Sequence, residues 1–252
     1  MSPRRLTILS VLLAVTVFVV GWKAVVVLAN LPVFILPAPE VVAARFVEAW
    51  ADGTMWPHAA ATLLEIGLGF VIGAGLAVAV GYLLARSRFA ERLLSPYIVA
   101  AQVTPVLVLA PFVALWLGTG LSLKLAICAL IVFFPVAIAT MVGIRSVDKR
   151  LLEMGHSLRA TPRQILVKLE LPAALPQILG GMRVGVTLAV VGAIVAEWAG
   201  PDRGLGVLII LARGSLFDIP LMFAALATII LIGLTLYLMV LLVERALVGA
   251  WR

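Results

Sequence analysis

Residues 123–144 read LKLAICALIVFFPVAIATMVGI, a run in which Lys124 is the only charged side chain. A helix of about 20 largely apolar residues crosses roughly 30 Å of hydrocarbon, so this stretch is long enough to span a membrane. The same reading holds at 6–28, 59–85, 95–117, 174–196 and 220–243. Composition agrees: 64% of the 252 residues are hydrophobic and 12% charged, against roughly 25% charged in soluble domains. The expectation is an all-α, polytopic membrane protein with about six transmembrane helices. It divides into an N-terminal helix within 1–35 and a transmembrane domain over 36–252, with a polar loop at 145–178. Between the first two spans, Pro37–Trp56 carries Glu40, Arg45, Glu48 and Asp52 among apolar residues. That pattern fits an amphipathic helix at the membrane interface, too polar to span.

The start of the chain admits two readings. Arg4 and Arg5 ahead of Leu6–Val20 resemble a signal peptide, but apolar character resumes after Lys23 through Leu28, which favours a retained helix. The 19 Lys and Arg outnumber the 12 Asp and Glu. They lie in short clusters between apolar runs and form no basic face for nucleic acid. With the N-terminus inside, the inner set is Arg4, Arg5, Arg86, Arg88, Arg92, Arg145, Lys149, Arg150, Arg159, Arg163, Lys168, Arg245 and Arg252. The outer set is Lys23, Arg45, Lys124, Arg203 and Arg213, and Arg183 falls within a span. The excess of inner cations predicts cytoplasmic N- and C-termini.

Gly69 and Gly73, and Gly181, Gly185 and Ala189, form small-residue ridges suited to close helix packing, within one chain or between two. Pro105, Pro111 and Pro135 lie inside spans and can kink them. Glu65 and Arg183 are intramembrane ionisable residues, which are functional candidates by default; they can pair, line a translocation path, or, for Arg183, snorkel to the interface. Glu197, with Asp202 and Arg203, stands near the outer end of the fifth span, where a solvated surface is the plainer reading and a gate or docking point the functional one. The single cysteine, Cys128, excludes an intrachain disulfide, and its apolar setting is that of a small buried hydrophobe. His58 and His156 belong to no metal-ligand cluster, no catalytic constellation is present, and G-x-x-x-x-G-K-S/T occurs nowhere. No metal and no enzyme site is expected.

The polar loop from Arg145 to Ile178 is patterned. Leu151, Leu152, Met154, Gly155, Leu158 and Ile165 recur at helical spacing with Glu153, His156, Arg159 and Arg163 between them. Thr161-Pro162 supplies an N-cap and first-turn proline for a second helix, and Leu171-Pro172 and Pro176 are expected to turn the chain into the fifth span. A short amphipathic helix that cannot bury its apolar side alone suits a groove in a partner protein.

This segment resembles the EAA loop of ABC importer permeases: Glu-Ala-Ala, three residues, Gly, nine residues, Ile, one residue, Leu-Pro. Here Glu153-Met154-Gly155 takes the first three places, Arg159 the glycine place, Leu169 the isoleucine place and Leu171-Pro172 the end. Met154 and Gly155 depart from the two alanines. Arg159 in the glycine position points to an ordinary helical conformation or an ionic contact with the partner. The flanks Leu36-Pro37-Ala38-Pro39, Gly143-Ile144-Arg145-Ser146-Val147-Asp148 and Glu197 followed by Gly204-Leu205-Gly206 are similar to the group of permeases for nitrate, sulfonates, taurine and pyrimidine or flavin vitamins and precursors.

The resemblance implies a type I importer permease of the bacterial plasma (inner) membrane that works by alternating access. It implies ABC ATPase subunits using ATP and Mg on a separate chain, an extracytoplasmic substrate-binding protein and a second permease copy, most simply as a homodimer. It assigns ATPase coupling to Glu153, Met154, Gly155, Ser157, Leu158, Arg159, Ala160, Leu171 and Pro172, and leaves Glu65, Arg183 and Glu197 as translocation-path candidates. The stretch Ala196–Gly204 leans toward a vitamin-like organic solute over a sulfonate or nitrate. Two other classes remain open from sequence: an ion-coupled secondary transporter, for which Glu65 is the credible coupling acid, and a membrane scaffold, which leaves the patterned loop unexplained.

Overall fold

The computed structural model describes residues 3–200 and 202–249; Pro201 and Arg252, named above in the outer stretch and the inner cation set, lie outside the described residues. The described residues form helices and no strands: α1 (Pro3–Leu28), α2 (Pro39–Ala51), α3 (Met55–Arg86), α4 (Arg88–Val103), α5 (Val106–Leu117), α6 (Leu121–Arg145), α7 (Lys149–Ser157), α8 (Pro162–Ile165), a π-helical turn (Leu166–Glu170), α9 (Leu171–Ala199), α10 (Leu205–Arg213) and α11 (Ile219–Gly249). Among them 5 helices are long and apolar enough to cross a membrane, or 6 if the bent pair α4–α5 is one span.

Three long helices make the core. The glycine ridge of α3 and that of α9 both face α6, so α6 is held between two close backbones. A Cβ at Gly73 would stand 2.8 Å from Ala129 Cα, and one at Gly81 would stand 2.7 Å from Thr140 Cβ. On the other side, Gly185 lies under Val136 and Val132, and Gly192 under Ile131 and Cys128. Ile66, Val132, Val136 and Ala193 fill the space between, with Cys128 fully buried among them. The small-residue ridges therefore serve packing within the chain.

Three sequence expectations change. The span read over 95–117 is two helices bent by 105° at a break. Thr104, which precedes Pro105, is extended (φ −71°, ψ 122°), as steric contact with a following proline ring favours. The turn expected at Leu171-Pro172 is absent. The helix instead widens by one π turn, with Leu171 N–H bonding to Leu166 O, a register that absorbs proline without a break. One helix thus runs without a break over Pro162–Ala199. Lastly, α10 was not foreseen. Its 9 residues are too few to span, but Leu205, Leu208 and Ala212 pack with Ala49 of α2, Met55 of α3 and Leu221 of α11.

The interfacial helix is present as α2, anchored by Arg45, whose Nε donates to Asp218 Oδ2 at 2.8 Å. That hydrogen bond holds the Arg45 guanidinium above its already high range, and the Thr54 N–H keeps the Asp52 carboxyl below its usual one. α2 and α10 therefore cap one end of the bundle, and α7 with α8 lies at the other.

Gly73→Ala is expected to destabilise the protein by about 1–3 kcal/mol, because the added methyl meets backbone that cannot step aside. Gly75→Ala, with nothing within 4 Å, is its neutral control. Thermal unfolding in detergent, followed by circular dichroism, compares them; equal melting points would contradict the packed ridge.

Candidate functional site

The polar loop folds as a compact helical hairpin. Asp148 caps α7 by accepting the Arg150 N–H at 2.9 Å. At the other end Ala160 N–H donates to Gly155 O (3.0 Å) and Arg159 N–H to His156 O (2.9 Å). This pair of bonds is the Schellman motif, and its left-handed position is Arg159, at φ 57°. The ordinary helical conformation expected of Arg159 is therefore not adopted; the turn that glycine would make is kept by an arginine at a conformational cost. Thr161 and Gln164 then form a reciprocal capping box (2.8 and 3.3 Å) ahead of Pro162.

Within the hairpin Gly155 is buried against Ile165 and Leu169; a Cβ there would stand 2.9 Å from Leu169 Cδ1. The apolar residues consequently divide. Gly155 and Ile165 face inward, while Met154 and Leu158 face outward, Leu158 at 75% exposure. Glu153, Ser157 and Arg159 share that exposed surface and Ala160 is half-buried. Leu171 and Pro172 lie past the π turn, at the start of α9. The hairpin is pinned to the bundle by Arg86 Nη2 on the buried Glu170 (2.9 Å). Nearby, Arg145 donates to both oxygens of Glu91 at 2.7 Å.

At the opposite end a buried polar network joins four segments. Lys124 Nζ of α6 donates to Glu65 Oε1 of α3 at 2.7 Å and to Arg203 O at 2.6 Å. Thr62 donates to Glu197 Oε1 of α9 at 2.5 Å and accepts the Leu205 N–H at 2.8 Å. Glu197 Oε2 accepts the Gly206 N–H at 2.5 Å, and His58 Nδ1 lies 2.8 Å from Gly204 O. Glu65, Lys124 and Glu197 are 2%, 3% and 0% exposed. The hairpin between α9 and α10 can bring its N–H groups this close because Gly204, at φ 147°, adopts a conformation that essentially only glycine reaches, and a Cβ there would overlap the Glu197 carboxyl.

Two readings from sequence are corrected here. Glu197 is not a solvated surface acid, and Lys124, counted with the outer cations, is buried within the bundle. Of the path candidates, Glu65 and Glu197 belong to one network, and Arg183 stands apart, its Nε 2.9 Å from Glu244 Oε2 of α11. Sequence reasoning missed Thr62, Lys124, His58 and Glu244. Thr62 and Glu65 are three apart on one helix and so share a face, which was the available signal; Lys124 was hidden by its place at the edge of an apolar run.

Residues 69–249 match the family described as binding-protein-dependent transport system inner membrane component. The riboflavin transport system permease protein RibX of Chloroflexus aurantiacus is 45% identical over 91% of this chain and 85% of its own length. The formylaminopyrimidine transport permease protein ThiX of Halalkalibacterium halodurans is 33% identical over 87% of this chain and 86% of its own. A putative aliphatic sulfonates transport permease, SsuC of Bacillus subtilis, is 35% identical over 80% and 73%. Among solved structures, the inward-facing MetNI methionine ABC transporter superposes with a TM-score of 0.68 at 21% identity, covering 78% of this chain and 98% of that one, a likeness of fold.

Lys124→Met is expected to lower stability by about 3–5 kcal/mol, since it strands Glu65 as a buried unpaired charge. Adding Glu65→Leu returns most of the loss, and thermal unfolding of the single and double variants measures it; strictly additive losses would contradict the pair. In the loop, Arg159→Gly relieves about 1–2 kcal/mol of left-handed strain and slows hydrogen exchange of the α7 amides. Faster exchange in that variant would contradict the assigned turn.

Proposed function

As the chain belongs to the family of binding-protein-dependent inner-membrane components, the type I permeases of ABC importers, we propose that its exposed hairpin, Glu153 to Pro172, is the surface on which an ATPase chain docks. The chain is a multi-pass inner-membrane permease for a small solute. The observation that carries the docking reading is the division of the hairpin. Gly155 and Ile165 hold it together, while Leu158 and Met154 stay exposed beside Glu153 and Arg159, the mixed face a protein groove accepts. Such a face has no use in a loop that merely connects two spans.

In this reading the basic end is cytoplasmic, both termini lie inside, and ATP with Mg is used on the partner. A second copy of this chain completes the path, and a binding protein delivers solute at the end capped by α2 and α10. The ATPase can shift the bundle only through contacts that differ between its states. The unbroken helix Pro162–Ala199 carries such a shift along its length to Glu197, whose hydrogen bond holds Gly206. The relatives and the Ala196–Gly204 stretch favour a vitamin-like organic solute over a sulfonate. Ion-coupled transport by Glu65 is not favoured, because its Oε1 is tied to Lys124.

Glu153→Lys and Leu158→Glu are expected to abolish uptake in the assembled transporter and uncouple ATP hydrolysis from transport, with membrane insertion unchanged. Uptake in proteoliposomes and ATPase rate are the measurements. Normal transport by both variants would refute the docking surface.

A further inference from the structure

The break at Thr104-Pro105 swings α5 away from the line of α4 and leaves a groove of about 620 Å³ between the broken span, α6 and α9. Its floor is apolar, with Phe134, Pro135 and Ile138 on α6 and the glycine pair Gly180–Gly181 on α9. Among the described residues that line it, the only polar side chains are the carboxamides of Gln102, two residues before Thr104, and Gln177, near the start of α9. Among the described residues no ionisable side chain lines it.

Both glutamines are exposed, and neither side chain has a hydrogen-bond partner among the described residues. A carboxamide left unpaired against hydrocarbon is costly, so this face of the bundle meets something polar. The volume lies within the range of about 300–1,000 Å³ in which drug-sized ligands are held.

From these observations we infer that the groove is a transit site for an uncharged, planar nitrogen heterocycle, whose hydrogen-bonding edge is read by Gln102 and Gln177 while its face lies on the apolar floor at Phe134. The inference rests on the proposed importer role and names the solute class of that permease. Each carboxamide offers two donors and one acceptor oxygen, which match the alternating carbonyl and ring-nitrogen edge of such heterocycles. Phe134 places an aromatic side chain in the lining, and such rings stack on aromatic side chains in offset arrangements. A sulfonate or nitrate entering the same groove would meet no cation and would lose its hydration without compensation. The groove thereby selects against anions by what it lacks and for heterocycles by the two amides.

The test uses the transporter assembled with its ATPase, purified without the binding protein, so that only the permease can hold solute. Equilibrium dialysis against radiolabelled riboflavin, formylaminopyrimidine and taurine is run on the wild type and on Gln102→Leu/Gln177→Leu. The wild type is expected to retain a heterocycle and no taurine, and the double variant to bind that heterocycle at least tenfold more weakly with unchanged melting point and oligomeric state. Binding by the variant equal to wild type, retention of taurine, or no retention of either heterocycle would overturn the assignment. A shift of the variant to a smaller assembly would also overturn it, by making the groove a contact between copies. Failure of the importer reading itself shows elsewhere, in ATP-independent uptake by the wild type, so the two failures are distinguishable.

Discussion

In an apolar bundle every buried charge must find its partner inside the protein, and the pairing of Lys124 with Glu65 is where this chain meets that demand. The ammonium also takes the Arg203 carbonyl, and Thr62 passes the network on to Glu197 and the Leu205 N–H. Through these bonds α3, α6 and α9 fix the hairpin that starts α10. Without the network the hairpin's N–H groups would face an apolar interior with nothing to accept them. The close glycine contacts on both faces of α6 are the packing counterpart of the same arrangement. They bring α3 and α9 near enough for short side chains such as that of Thr62 to bridge.

The two functional ends are connected by one element. The helix over Pro162–Ala199 begins in the loop hairpin and ends at Glu197. At about 1.5 Å per residue it is roughly 57 Å long, and it takes in both the π turn ahead of Pro172 and Pro176 without a break. A helix of that length, starting at the exposed hairpin proposed to receive the ATPase and bonded at its other end to Gly206, is suited to carry a displacement across the membrane. Arg159 has a place in this. It keeps the turn between α7 and α8 at a backbone angle that glycine would take without strain, and its guanidinium adds a positive charge to the face that Glu153 and Leu158 present.

Much of this architecture was legible in the sequence, because span length and apolarity are read directly and hydrogen-bonding demand in lipid leaves few alternatives. The hairpin was legible too: the spacing from Glu153 to Pro172 marked it, and Thr161-Pro162 marked its second helix. What escaped was set by geometry between segments far apart in sequence. Pro105 announced a kink but not that the chain would turn by 105°. Pro172 and Pro176 suggested a turn, whereas a π register let the helix continue. Lys124 looked like an outer cation at the edge of a span and Glu197 like a surface acid until their partners, 59 and 9 residues away, were placed beside them. The left-handed angle of Arg159 was not foreseen, because local propensity argues against it and only the two reversed hydrogen bonds of the Schellman motif require it.

An ATPase chain seated on the exposed face of the α7–α8 hairpin would lie against position 158. Cys128 is fully buried, so a Leu158→Cys variant carries one accessible thiol. Treating native membranes with a short bifunctional thiol-to-amine reagent and identifying the adduct by mass spectrometry reports which chain lies beside that thiol. The account predicts a cross-link from position 158 to an ATPase subunit, lost when that subunit is deleted. A thiol at 158 that is freely labelled by a soluble maleimide yet never joined to an ATPase would contradict it.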